Sequence, residues 1–399
     1  MYTVNNDSLQ SIADSIRKKA KKTEKMTFPA GFVSAIEGIE TGGGSAPVVV
    51  EEPEEKAVNF YDYDGRRLFS YTADEAAALT ELPTPPGHAG LVFQEWNYTL
   101  DEVKENADAA DIGALYTTDD GATRIHIEIP YDGYELTFRF YPYSNGTVEL
   151  NWGDGSAAER PNNIPEGIKH TYAKAGFYMI SLMPDKGAKF ALGSAQGDSV
   201  IIGSRAIISE VNCGNGVDSL RGAFSALYSS IGSISLCNEI KTIGDSTFYY
   251  CEKLKFISFP HNVAIPFSCL SNSAISNVSH SPRVTTISSQ AFNGCHNLRR
   301  VVVGCGVSEV ETSLFAFDYS LLSIVFKGNI SWIEPDAFQY CKALKQISFI
   351  KCKQIPILAS ASALDGTSSD LEILVPAALA DEWKAATNWT KYTNNIKGV

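Results

Sequence analysis

No apolar run in the sequence approaches the ~18 consecutive residues that a membrane-spanning helix needs. There is no C-x-x-C, H-E-x-x-H, P-loop or dinucleotide-binding glycine motif, and no Ser-His-Asp order, so the common metal, nucleotide and hydrolase signatures are missing. Basic surplus is missing too. With 33 Lys and Arg against 46 Asp and Glu the formal net charge is −13, which excludes a chain-wide nucleic-acid footprint. Met1-Tyr2-Thr3-Val4-Asn5-Asn6-Asp7 is polar and has no apolar signal core, so the expectation is a protein made in a cytoplasm without a Sec signal or anchor. No catalytic residue, cofactor site, metal ligand or nucleic-acid partner is expected.

What is present is a repeat. Ile243…Phe248-x-x-Cys251-x-x-Leu254-x-x-Ile257-x-Phe259 returns as Ile287…Phe292-x-x-Cys295-x-x-Leu298-x-x-Val301-x-Val303. It returns again as Val310…Phe315-x-x-Asp318-x-x-Leu321-x-x-Ile324-x-Phe326, and as Ile333…Phe338-x-x-Cys341-x-x-Leu344-x-x-Ile347-x-Phe349. Phe292, Phe315 and Phe338 stand 23 residues apart, and a period in the low twenties predicts a leucine-rich repeat solenoid. Each unit offers a short strand whose apolar edge only a stacked neighbour can bury. Three of the eight cysteines share one offset, which fits reduced core residues better than a disulfide framework.

The named residues of L-x-x-I-x-F point inward and the positions flanking the central Ile point out. That makes Phe256, Ser258, Arg300, Val302, Ser323, Val325, Gln346 and Ser348 a candidate binding strip.

The chain reads as mainly β with α+β parts. Residues 1–41 read as a helical hairpin: Asp7 caps the first helix, and Leu9, Ile12 and Ile16 form a stripe that Phe32, Val33 and Ile36 continue in the second. Too small for its own core, it is a candidate docking element or oligomerisation site, with a trimer favoured. Residues 42–57, with Gly42-Gly43-Gly44 and an acidic run from Glu51, read as a flexible linker. Residues 58–117 read as a small α/β module: a strand over 58–65 running into an Asp-Gly turn, strands at 67–71 and 91–97, and helices capped by Thr72 or Asp74 and by Thr99. Asp62, Asp64 and His88 could form a metal or catalytic set, but carboxylates before a turn glycine are the more ordinary explanation. Residues 118–190 alternate with period 2, as in Arg124-Ile125-His126-Ile127-Glu128-Ile129, and read as a β-sandwich. Residues 191–366 hold about six repeats. Residues 367–399, with Trp383 and Trp389, read as a cap.

Ala291-Phe292-x-x-Cys295 and Ala337-Phe338-x-x-Cys341 resemble the BspA-like leucine-rich repeats of bacterial surface and phage proteins. Trp152-Gly153-Asp154-Gly155, His170-Thr171-Tyr172 and Gly176-x-Tyr178-x-Ile180 resemble the PKD-type β-sandwich. That resemblance implies that Trp152, His170, Tyr172 and Tyr178 pack the sandwich, and that Asp154 is structural. Met26-Thr27-Phe28-Pro29-x-Gly31-Phe32 and Phe60-Tyr61-Asp62-Tyr63-Asp64-Gly65 look like segments of phage virion proteins.

Together these resemblances imply a virion structural protein located in the particle. It would be docked to other virion proteins through residues 1–41 and would present its repeats to a host glycan or surface protein. The alternatives are a bacterial cell-surface repeat adhesin and a decoration protein without a receptor.

Overall fold

The computed structural model describes residues 54–143, 146–161, 167–193, 200–202, 207–224 and 231–399. The hairpin expected at 1–41, with Leu9, Ile12, Ile16, Phe32, Val33 and Ile36, lies outside them, as does all of the expected linker except 54–57.

The first described unit is a four-stranded sheet of β1 (Val58–Tyr61), β2 (Arg67–Tyr71), β3 (Leu91–Trp96) and β4 (Ala110–Thr118), in the order β2-β1-β4-β3. Its helices are short, α1 (Ala73–Ala77) and α2 (Leu100–Glu105). Each opens with a full capping box, Thr72 with Glu75 and Thr99 with Glu102. α1 ends at Ala77, about one and a half turns after its cap. Phe60 anchors the core, meeting Trp96 edge-on with ring centroids 4.9 Å apart and Tyr71 at 5.7 Å.

β4 was not legible as a strand. All nine of its residues are buried, so it lacks the alternation that marks a half-exposed strand. Ala110, Ile112, Ala114 and Tyr116 join the module core. The alternate residues Asp111, Gly113 and Thr117 meet the repeats instead.

Next come strands Thr123–Ile129, Tyr134–Phe138, Val148–Asn151, Ile168–Tyr172 and Gly176–Pro184. Trp152 is buried at their centre. The His170 ring stacks on it (4.5 Å, 8°), its Nε1 donates to Glu159 Oε1 at 2.7 Å, and the Tyr172 hydroxyl donates to its carbonyl at 3.1 Å.

This layer runs on into the repeats without a break. Thr123–Ile129 pairs with Ile207–Asn212, which pairs in parallel with Ser233–Ser235. Phe190–Leu192, across the expected 190/191 boundary, pairs with Phe140–Pro142 on one side and Val217–Leu220 on the other. One hydrophobic core extends from Ile125 to Ile396.

The repeats form a β-solenoid. Phe256–Phe259 pairs with Asn277–His280. Arg300–Val303, Ser323–Phe326, Gln346–Ser348, Glu372–Val375 and Ile396–Gly398 form a second parallel sheet in which Val301, Ile324, Ile347 and Ile373 align. Phe292, Phe315 and Phe338 stack at 5.5 and 5.8 Å, with their planes nearly parallel. The unit around residue 270, indistinct in sequence, is an ordinary coil with Leu270 in the Phe place and Ser273 in the Cys place, bonded in register to Ala291 and Cys295.

The turn row carrying Phe248, Leu270, Phe292, Phe315 and Phe338 has an unusual backbone. The residues two before and two after each are left-handed, for example Ser313 (φ 52) and Phe317 (φ 66), or Asp336 (φ 60) and Tyr340 (φ 59). Alternating handedness turns every second amide the same way. Ser313, Phe315 and Phe317 therefore donate to Pro335, Ala337 and Gln339 of the next coil. These inter-coil bonds offset a left-handed cost of about 1–3 kcal/mol per residue.

Trp383 and Trp389 close the last coil, both buried. Phe349 lies 5.7 Å from Trp383 and 6.1 Å from Trp389, and Trp389 Nε1 donates to Pro356 O at 2.8 Å. Within the cap a 3-10 turn, Ala377–Leu379, is followed by α3 (Ala380–Ala385).

Candidate interaction surfaces

The eight residues of the sequence-derived strip all lie on or beside the repeat strands, but half of that strip is closed. The module lies on it. Tyr61 covers Phe256 with ring centroids 5.3 Å apart, and Gly113 seats against Ser258 so closely that an added Cβ would stand 2.6 Å from Ser258 Cβ. Asn97, fully buried, donates to Phe259 O at 3.1 Å and to Ser279 Oγ at 2.9 Å, and Ser279 Oγ donates to Asp111 O at 2.7 Å.

Arg300 is drawn into the same contact, with Nη1 3.4 Å from Asp111 Oδ1 and 3.3 Å from Glu55 Oε1. Burial outweighs Arg300 and Asn59 here and pushes the Asp111 carboxyl up. Lys327 pairs with Asp108.

Phe256, Ser258 and Val302 are buried and cannot meet an outside molecule, which corrects their place in the strip; Phe256 and Ser258 point outward from the solenoid, but onto the module. Ser348 is buried as well. Ser323, Val325 and Gln346 remain half-exposed. The sequence signals for this contact were Gly113 in a strand and small polar residues at outward ladder positions, and neither identifies a partner segment.

A second surface was not foreseen. On the turn row Phe317, Tyr319 and Tyr340 are exposed by 37%, 42% and 43%. Phe317 lies on Tyr340 at 5.3 Å, His296 lies on Tyr319 at 4.9 Å and 2°, and Lys342 Nζ of the next coil is 5.0 Å from the Tyr319 centroid. Phe317 and Tyr340 occupy the left-handed position that Gly294 fills two coils earlier than Tyr340.

The titratable clusters are internal ties. Asp62, fully buried, meets His88 Nε2 at 2.9 Å and Arg66 at 3.3 Å, and its Oδ1 accepts the Tyr63 amide. Asp154 meets His170 Nε2 at 2.7 Å. Among the described residues no group of three or more His, Cys, Asp or Glu could hold a metal ion, and no helix is long and apolar enough to cross a membrane. No cysteine forms a disulfide; seven are buried and Cys305 is exposed.

Residues 220–354 match the family model described as BspA type leucine rich repeat region, in six copies. No curated protein matches the chain. Among solved structures, a leucine rich cell surface protein from Faecalibacterium prausnitzii A2-165 aligns with a TM-score of 0.31 and 20% identity, covering 43% of this chain and 50% of that one. The alignment therefore spans half of that protein's length, and a similarity this low transfers neither fold nor role. Neither comparison supports the resemblances to virion proteins or to the PKD-type sandwich.

Proposed function

We propose that this chain is a non-catalytic, adhesin-type leucine-rich repeat protein of a bacterial cell surface, holding a rigid contact face toward a glycan or a protein. The repeat match and the solenoid support a binding scaffold. The observation that carries the reading further is the aromatic row. Phe317 and Tyr340 keep large exposed rings at a backbone position where glycine is unstrained, and stacking fixes those rings before any partner arrives. Rigid exposed aromatics lose little entropy on contact, which is why they recur as anchors of interfaces.

The half-exposed Ser323, Val325 and Gln346 lie on the neighbouring sheet as a secondary contact. The virion reading, with particle docking and trimer formation through residues 1–41 and with a PKD-type spacer, has no support beyond the motifs that raised it and ranks behind the cell-surface reading.

The test is binding of purified protein to bacterial cells, host epithelial cells and immobilised glycans. Wild type should bind at least one class. Replacing Phe317, Tyr319 and Tyr340 together by alanine should weaken binding by about tenfold or more, the ~1.4 kcal/mol of one lost anchor. If wild type binds none of them the adhesin reading falls; if the triple variant binds as well as wild type, the aromatic row is not the contact face.

A further inference from the structure

One core position breaks the repeat in a way that packing alone does not explain. Three residues after each core Phe or Leu, the solenoid stacks Cys251, Ser273, Cys295, Asp318 and Cys341. The thiols act as donors across the stack: Cys295 Sγ reaches Leu270 O at 3.1 Å, Cys341 Sγ reaches Phe315 O at 2.9 Å, and Cys251 Sγ reaches Phe224 O at 3.6 Å. Two of these carbonyls also accept the amide three residues on, Ser273 N to Leu270 O at 3.0 Å and Asp318 N to Phe315 O at 3.3 Å. Phe292 O takes its amide from Cys295 at 3.1 Å, and the register assigns its second donor to residue 318.

Asp318 is fully buried, and neither carboxyl oxygen accepts a hydrogen bond among the described residues. The titratable groups facing it are the thiols of Cys295 and Cys341; among the described residues no cation is paired with it. The Cys295 amide, which alone favours the charged form, is already given to Phe292. Burial accordingly pushes the Asp318 carboxyl well above the usual carboxylate range. A charge at this point would be an isolated carboxylate in an apolar stack, far costlier than a neutral acid able to donate as the neighbouring thiols do.

We propose that Asp318 is a neutral carboxylic acid in the folded protein, its O–H donating to the Phe292 carbonyl as the thiols do in neighbouring coils, and that this makes the solenoid lose stability as pH rises. The folded-state pKa is raised, so the folded chain holds a proton that the unfolded chain releases above about pH 4. The contribution is complete below that pH and declines as pH climbs toward the raised folded value, where the acid gives its proton to solvent and the stack loses its donor.

The experiment is denaturation of the full chain from about pH 4 to about pH 9, comparing wild type with Asp318→Cys, the residue other coils use, and Asp318→Asn, nearly isosteric and unable to ionise. Relative to either variant, the wild-type unfolding constant should rise by up to about tenfold per pH unit over the window between the two pKa values. Parallel pH profiles for wild type and both variants overturn the proposal. Should both variants fail to fold, infrared difference spectra of wild type carrying isotope-labelled aspartate decide it. A buried protonated carboxyl band at neutral pH supports the proposal, and carboxylate bands alone overturn it.

Discussion

Gly113 sits directly over Ser258, and no side chain fits between the module strand and the repeat strand at that point. The contact makes Gly113 a specificity determinant of docking rather than a spacer in β4. Gly113→Ala should destabilise the protein by about 1–3 kcal/mol through overpacking. Ser258→Gly in the same chain should return part of the loss, and a double-mutant cycle in denaturant measures the coupling. Additive effects would mean that the two surfaces separate in solution.

The cap yields a second prediction. Trp383→Ala removes a fully buried ring from the end of the core and leaves Phe349 and Trp389 facing a void. A loss of about 3–5 kcal/mol is expected from chemical denaturation.

At Phe317 backbone and side chain oppose each other. Phe317→Ala loses the stack on Tyr340 and keeps a Cβ at φ 66, whereas Phe317→Gly loses the same stack and releases the strain. The glycine variant should be the more stable of the two by about 1 kcal/mol, measured by thermal unfolding.

The Asp62–His88 pair predicts a pH optimum for the module. For Asp62, burial alone would raise the pKa, but the hydrogen bond and charge of His88, together with the Tyr63 amide and the Tyr116 hydroxyl, outweigh it and hold the carboxyl down. His88 is raised by its hydrogen bond to Asp62 against the opposing effect of burial. The Asp62 contribution is present above about pH 4 and lost as pH falls through its depressed value. The His88 contribution is complete below about pH 6.5 and lost as pH rises through its raised value. Both are therefore whole between about pH 4 and about pH 6.5. In the Asp318→Asn background, where that acid no longer titrates, tryptophan fluorescence in urea titrations should show the optimum, and His88→Gln should flatten its alkaline side; an unchanged alkaline side would remove the pair from the account.

The solenoid was legible because each coil repeats the same demand: Phe292, Cys295, Leu298 and Val301 face inward at fixed offsets whatever lies outside. Strands β1, β2 and β3 of the module, and the caps at Thr72 and Thr99, were legible from local chemistry. The docking was not, because Asn97 and Ser279 are 182 residues apart and neither carries a mark of the other. β4 was missed for the same reason: its second face is buried only by a segment much further along the chain. The exposed rings at Phe317 and Tyr340 were hidden by the left-handed backbone, which an offset table treats as an ordinary turn.

The module touches the solenoid at Asn215, Asn238, Phe256, Ser279, Arg300, Lys327 and Lys351, along nearly its full length. A bare solenoid couples each coil only to its neighbours and can fray from either end. Here a single splint ties distant coils to one another, so loosening any of them strains contacts several coils away. The described chain should therefore melt as one cooperative unit, with the front and back coils exchanging their amide hydrogens at the same global rate.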